Sequence, residues 1–140
     1  MVGIVIVSHC NKMCENLINF LDVFKTSDFE LVNGSDENVK FGTTKDYVVK
    51  AIKKANKGQG VLILLDLGSS IDCAMQAKKE VEKEIRVEIA DAPLVEGAIS
   101  AVAGNDESID LETLRKIAED SRNFRKVKNC LLYTSPSPRD

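Results

Sequence analysis

Apolar and polar positions along this chain form two kinds of strand-like segment. Two runs, residues 4–7 and 61–65, consist only of Ile, Val and Leu. A strand that is apolar on both faces is typical of a parallel sheet covered by helices on both sides. In residues 29–33 and 85–89, polar residues alternate with apolar ones more than in these two runs. These segments predict two further strands, the first of them nearer a sheet edge.

Apolar residues at helical spacing mark five further segments, which we expect to be helices. The first is predicted over residues 11–25, and the others begin near residues 43, 69, 92 and 110. Thr43 has capping-box spacing to Asp46, and so does Ser69 to Asp72. The predicted core-facing side chains are, helix by helix, Met13, Leu17, Phe20, Leu21 and Phe24; Val48, Ala51, Ile52 and Ala55; Ile71, Met75 and Val81; Val95, Ala98, Ile99 and Val102; Leu111, Leu114 and Ala118.

A strand followed by a helix thus occurs four times, and one more helix follows. This order predicts an α/β fold with a doubly wound, mainly parallel four-stranded sheet and helices on both faces. The topology is flavodoxin-like, for which the common strand order is 2-1-3-4. We assign residues 1–128 to one domain. Residues 129–140 contain two prolines and no periodicity, so we interpret them as a disordered or non-native tail.

Composition narrows the possible partners. The net charge is −3 and charges of both signs are interspersed, which argues against nucleic acid as a partner. The apolar runs are too short to span a bilayer, so no membrane insertion is expected. Four cysteines without a paired zinc-type spacing favour reduced thiols, no metal site and a cytoplasmic location.

The candidate chemistry lies where two buried strands end. His9, the only histidine, follows the first strand, and Asp66 follows the third. In the order 2-1-3-4 these strands are neighbours, so both residues reach the crevice at their carboxyl ends. A carboxylate that accepts one imidazole N–H fixes the tautomer and leaves the other nitrogen free as a nucleophile or general base.

The same crevice should contain a phosphate-binding element. Gly68, Ser69 and Ser70 stand at a helix start, where free N–H groups and the helix dipole favour an anion. Thr43, at another helix start, adds a hydroxyl donor. A nucleophilic imidazole beside these groups favours phosphoryl transfer through phosphohistidine, and His9 and Asp66 are the candidate catalytic residues.

Each of these features alone is more often structural: a loop histidine, a turn-forming aspartate or a serine helix cap. Their convergence on one crevice favours the functional interpretation. The sequence has neither a GxxxxGK[ST] nor a GxGxxG nucleotide loop. Position 16, six residues after Cys10, is Asn and not the Arg of a Cys-based phosphatase loop.

Three segments, residues 5–9, 65–70 and 92–98, together resemble the mannose-type enzyme IIA domain. They are most similar to the phosphotransfer (M) subunit family of the phosphoenolpyruvate-dependent dihydroxyacetone kinase. The resemblance covers roughly residues 1–121. It implies that His9 takes phosphate from the histidine-containing phosphocarrier protein and passes it to ADP bound on the kinase L subunit, with Asp66 orienting His9.

The resemblance also implies a homodimer that binds no cofactor directly, since ADP and ATP are held by the L subunit. Two other functions stay open. One is a sugar-transport enzyme IIA component that passes phosphate to a IIB domain. The other is a non-catalytic flavodoxin-like sensor of a phosphorylated ligand.

Overall fold

A computed structural model describes residues 1–39 and 41–127. Its sheet has four strands in the order β2-β1-β3-β4, and every neighbouring pair is parallel. The predicted fold class and strand order are therefore confirmed. The elements, in chain order, are β1 Gly3–Val7, α1 Asn11–Leu21, a 3₁₀ helix Asp22–Phe24, β2 Leu31–Asn33, α2 Lys45–Ala55, β3 Val61–Leu65, α3 Ser69–Val81, β4 Val87–Ile89, α4 Leu94–Gly104, α5 Leu111–Asp120 and a 3₁₀ helix Ser121–Asn123.

The central strand β1 is buried along its whole length because helices cover both faces of the sheet. Successive side chains of a strand point to opposite faces. Ile4 and Ile6 pack into one cluster with residues of α1, α4 and α5. Val5 and Val7 pack into a second cluster with residues of α2 and α3. An uninterrupted apolar run in the sequence thus supplies both layers of the core at once.

The predicted inner faces of α2 and α5 are confirmed, whereas that of α1 is wrong in part. Met13 is 44% exposed and Phe20 is 50% exposed, while Cys14, Leu17 and Leu21 face the core. Apolar residues occur on both sides of α1, so more than one helical stripe fits the sequence. The helix also ends at Leu21, and the next three residues form the 3₁₀ turn.

The inner face of α3 differs from the prediction for a related reason. Ile71 and Met75 are 40% and 58% exposed, and the buried stripe includes Ala74, Ala77 and Val81. Small alanine side chains let α3 pack closely against the sheet and α2, so hydrophobicity alone points to the wrong side. In α4, Val95 was also predicted to face the core but is exposed.

The starts of α2 and α3 also differ from the predicted caps. Thr44, one residue after Thr43, is the N-cap of α2, and its hydroxyl accepts a hydrogen bond from the Tyr47 N–H. At α3 the cap position is Gly68, with φ of +63°, and Ser69 is the first helical residue. A positive φ favours glycine because it has no Cβ. The chain therefore turns sharply into α3 directly after Asp66.

The predicted tail of residues 129–140 lies outside the described residues and stays a prediction, as does the domain boundary at residue 128. Within the described part, none of the helices combines the length and apolar character required to cross a membrane.

Candidate functional site

The position of the site follows from the register of β1 and β3. These strands run parallel, with Val7 paired to Leu65 at their carboxyl ends. The residues that follow, Ser8 and His9 on one strand and Asp66 on the other, therefore leave the sheet side by side. The Asp66 N–H continues the ladder by donating to the Val7 carbonyl at 3.2 Å.

His9 and Asp66 are in direct contact. His9 Nδ1 lies 2.9 Å from Asp66 Oδ2. The imidazole is 38% exposed and the carboxylate only 10% exposed. In this arrangement Nδ1–H donates to the carboxylate, which leaves the lone pair on Nε2 free. The ring thus has one nitrogen held by the protein and the other available to a reactant.

The Asp66 carboxylate is held by four hydrogen bonds. Oδ2 accepts from the Ser8 hydroxyl, the His9 N–H and His9 Nδ1, and Oδ1 accepts from the Leu67 N–H at 2.6 Å. Burial raises the pKa of this carboxyl, but the hydrogen bonds from Leu67, Ser8 and His9 outweigh it, so the net pKa lies below the usual value of 3.8. Asp66 is therefore an anion at neutral pH.

The main chain of His9 is fixed as well as its ring. Its N–H donates to Asp66 Oδ2 at 3.2 Å, and its carbonyl accepts from the Gly42 N–H at 2.6 Å. An isolated antiparallel bridge joins Cys10 to Phe41 in the same segment. The loop that carries the histidine is therefore secured against the chain that leads into α2.

Gly68, Ser69 and Ser70 lie next to Asp66 at the start of α3, but they are not equivalent. Gly68 and Ser69 are exposed, and the first N–H groups of a helix have no carbonyl partner within it. Ser70 is fully buried. Its hydroxyl is close enough to Asp66 to lower the carboxyl pKa, yet it forms no hydrogen bond of good geometry in the described structure. Solvent therefore reaches Gly68 and Ser69 but not Ser70.

Thr43 follows Gly42, whose N–H donates to the His9 carbonyl, so Thr43 lies in a segment next to His9. Its hydroxyl, however, donates to the Gly34 carbonyl at 2.9 Å. Its assignment as a phosphate ligand stays a prediction, and it requires the hydroxyl to leave Gly34.

Cys14, which lies below the His9 loop, is not a candidate nucleophile. Cys14 is fully buried, its thiol lies 3.3 Å from the Ile6 carbonyl, and burial raises its pKa to about 12. Such a thiol stays protonated at neutral pH, and the thiolate is the reactive form. Among residues 1–39 and 41–127, no group of three or more His, Cys, Asp or Glu side chains could hold a metal ion.

Sequence reasoning missed a polar network beneath the histidine. Ser35 forms two hydrogen bonds with the main chain of Ser8, and its own N–H donates to the Asn33 side chain. The Asn33 amide donates in turn to Asn11 at 2.8 Å. The only signal in the sequence was a serine between an apolar strand and the sole histidine.

Comparisons with known proteins identify the family. The model of the family EIIA-man, described as the PTS system fructose IIA component, matches residues 3–115. The phosphotransferase subunit DhaM of a PTS-dependent dihydroxyacetone kinase from Lactococcus lactis is 31% identical over 84% of this chain and 93% of its own length. A phosphoryl donor subunit DhaM from Providencia stuartii is 27% identical over the whole of this chain and 31% of its own length.

The solved structures agree on the fold. The phosphotransferase system component EIIA from Streptococcus agalactiae superposes with a TM-score of 0.68 at 17% identity, covering 93% of this chain and 100% of that one. The chain spans about a third of the length of several curated relatives and most of the length of others. The chain therefore belongs to the EIIA-man family of phosphotransferase-system components, in which it groups with the DhaM proteins.

Proposed function

We propose that this chain is the phosphocarrier subunit of a phosphoenolpyruvate-dependent dihydroxyacetone kinase. In this proposal His9 accepts a phosphoryl group from the histidine-containing phosphocarrier protein and passes it to ADP bound on the kinase L subunit. The observation that carries the proposal is the His9–Asp66 pair, in which Nδ1 is held at 2.9 Å and Nε2 is free. The choice of this kinase is supported by the DhaM relatives, which are named as subunits of dihydroxyacetone kinases.

The chemical step follows from this geometry. The lone pair of His9 Nε2 attacks the phosphorus of the donor's phosphohistidine, and the donor's P–N bond breaks with its electron pair returning to the donor imidazole. In the second transfer a terminal phosphate oxygen of ADP attacks the same phosphorus, the His9 P–N bond breaks, and ATP forms. Asp66 stays ionised throughout and stabilises the positive charge that the His9 ring gains when Nε2 bonds to phosphorus.

The phosphoryl oxygens need hydrogen-bond donors on the side of His9 that faces solvent. We assign this role to the main-chain N–H groups at the start of α3 and to the exposed Ser69 hydroxyl, with Gly68 allowing close approach. Thr43 and Ser70 belong to the same predicted set, but in this structure the Thr43 hydroxyl is directed to Gly34 and Ser70 is buried. They join the set only if the loops rearrange on phosphorylation.

The first test is the acceptor residue. Incubated with phosphoenolpyruvate, the first enzyme of the phosphotransferase system and the phosphocarrier protein, the chain should gain a phosphate that is labile in acid and stable in base. Because His9 is the only histidine, a phosphohistidine can form nowhere else. If His9→Ala accepts phosphate as well as the parent, the proposal is wrong.

A second candidate function is a sugar-transport enzyme IIA component that donates to a IIB domain. It is favoured by the description of the matching family, which names a fructose IIA component. The two candidates differ in their acceptor, so the phosphorylated chain should be offered both. The kinase is supported if the chain loses its labelled phosphate to the ADP-loaded L subunit and dihydroxyacetone phosphate forms when the K subunit is added. Sugar transport is supported if the labelled phosphate passes only to the IIB domain.

The remaining parts of the proposal concern the assembly. We propose a homodimer that acts in the cytoplasm and binds no cofactor of its own, because the nucleotide stays on the L subunit. Sedimentation equilibrium across a range of concentrations would detect the dimer, and a single monomeric species at all concentrations would remove it from the proposal.

A further inference from the structure

We propose that Ser8 is a positioning residue for the transfer. Its hydroxyl holds Asp66 Oδ2 in the orientation that accepts the Nδ1–H of His9, and it thereby keeps Nε2 free for phosphate. The inference rests on the proposed function of His9 and deepens it. Ser8 lies directly after β1 and is fully buried, so it does not touch an incoming partner.

The Ser8 hydroxyl is bonded on both sides. It donates to Asp66 Oδ2 at 2.9 Å and accepts from the Cys10 N–H at 3.0 Å. The second bond directs the hydroxyl proton, because the oxygen cannot turn away from Asp66 without leaving a main-chain N–H unpaired. Leaving the Cys10 N–H without a partner costs free energy, so this orientation of the hydroxyl is favoured.

Both main-chain polar groups of Ser8 are also hydrogen-bonded. Its N–H donates to the Ser35 hydroxyl at 2.9 Å, and the same hydroxyl donates to the Ser8 carbonyl at 2.6 Å. Ser35 is itself fully buried, and its N–H donates to the Asn33 side chain at 2.7 Å. The loop after β2 thus clamps the residue that orients Asp66, and both are fixed before any substrate arrives.

The effect on His9 follows from the sharing of a single oxygen. Oδ2 accepts from Ser8, from the His9 N–H and from Nδ1, all within 3.2 Å. The two neutral tautomers of imidazole are close in energy, so the partner of one ring nitrogen decides which is present. Without the Ser8 hydroxyl, only the His9 and Leu67 N–H groups still fix the carboxylate. Oδ2 is then held less firmly toward Nδ1, and the Nε2–H tautomer, which cannot accept phosphate, gains population.

The test combines a spectroscopic measurement with kinetics on the full chain. Nitrogen-15 spectra of the His9 ring should show mostly the Nδ1–H tautomer in the parent and a larger Nε2–H fraction in Ser8→Ala. The maximal transfer rate from the phosphorylated carrier protein should fall roughly tenfold, with the donor KM unchanged. Ser8→Thr, which keeps the hydroxyl, should restore both. Ser121→Ala is the matched control, because it removes a buried serine hydroxyl that bonds only to the Ala118 carbonyl.

Several results would overturn the inference. A parent-like tautomer ratio and transfer rate in a folded Ser8→Ala would do so, and so would a rise in donor KM with the maximal rate unchanged. If Ser8→Ala does not fold, Ser8→Cys provides a similar shape with a weaker donor, and it must show the same two changes in smaller measure. In an Asp66→Asn background, Ser8→Ala should add little further loss, since both act through one carboxylate.

The tautomer measurement needs no phosphate donor. If His9→Ala still accepts phosphate, the proposed function fails while the Ser8 contact can still be confirmed by the spectra. If His9 is the acceptor and the tautomer does not respond to Ser8→Ala, only the positioning role fails.

Discussion

Replacing Asp66 by asparagine removes the charge beside His9 with almost no change in shape. If the amide oxygen takes the place of Oδ2, it still accepts from Ser8 and His9, but the amide NH₂ then faces the Leu67 N–H, which lies 2.6 Å from Oδ1 in the parent. The opposite orientation turns the NH₂ toward three donors. The first orientation loses fewer hydrogen bonds than the second. We therefore expect Asp66→Asn to fold in that orientation, with the neutral amide oxygen as a weaker acceptor for Nδ1–H.

The size of the effect follows from the bond that is weakened. A hydrogen bond to a charged group contributes about 1.5–3 kcal/mol net, and a neutral one about 0.5–1.5 kcal/mol. In the proposed transfer the His9 ring becomes positive as Nε2 bonds to phosphorus, so the carboxylate contributes most to the stability of the transition state. Replacing the charged bond by a neutral one therefore costs about 1–1.5 kcal/mol, which corresponds to a transfer rate roughly 5- to 13-fold lower than that of the parent.

The measurement is rapid-quench transfer of labelled phosphate from the carrier protein, with circular dichroism and urea unfolding to establish that the variant is folded. Asp110→Asn is a matched control. Asp110 is also a carboxylate that accepts a main-chain N–H, that of Thr113, where it caps α5. The next residue, Leu111, lies against Gly60 just before β3 begins, so Asp110 is near the amino-terminal end of the strands, away from His9 and Asp66. Asp110→Asn should transfer like the parent. A folded Asp66→Asn variant with parental kinetics would refute the role assigned to this carboxylate.

Three further predictions concern stability and docking. The pKa of Asp66 is lower in the folded chain than its ordinary 3.8, so the ionised carboxylate stabilises the fold above pH 3.8, and this stabilisation is lost as the pH falls through the folded pKa. When the free energy of unfolding is measured at decreasing pH, it should therefore fall less steeply for Asp66→Asn than for the parent. Gly3→Ala should lower the free energy of unfolding by about 1–3 kcal/mol in urea, since a Cβ there would lie 2.1 Å from the Ala55 carbonyl oxygen. Leu67→Ala should raise the KM for the phosphocarrier protein without altering unfolding, because Leu67 is 58% exposed beside Asp66; an unchanged KM would exclude Leu67 from the docking surface.

The contact between His9 and Asp66 could be foreseen from the sequence because it depends only on topology. Each residue follows an apolar run, and a parallel sheet of order 2-1-3-4 brings the ends of those runs together. No side-chain detail was needed for that step. The fold class was foreseen for the same reason, since strand and helix periods differ enough to be recognised over most of the chain.

The clamp on Ser8 could not be foreseen in this way. Ser35 lies 27 residues along the chain, in a loop with no periodicity, and its bonds to Ser8 depend on the exact path of that loop. The same limit explains the cap of α2. Adjacent threonines at positions 43 and 44 both suit a helix start, and the choice between them depends on Thr43 bonding to the Gly34 carbonyl, a contact between two loops.

The side chains wrongly predicted to be buried include apolar residues that are exposed close to His9 and Asp66. Met13, Leu67 and Ile71 are all 40% or more exposed, and they stand near the starts of α1 and α3, beside His9 and Asp66. Phe41, bridged to Cys10, is 65% exposed in the same region. Core packing does not account for large apolar side chains in these positions, whereas grouped exposed apolar residues commonly mark protein interaction sites. In the proposed function each partner must leave after transfer, which small, weak contacts permit. Two successive partners that both need access to Nε2 would then have to use this one surface in turn.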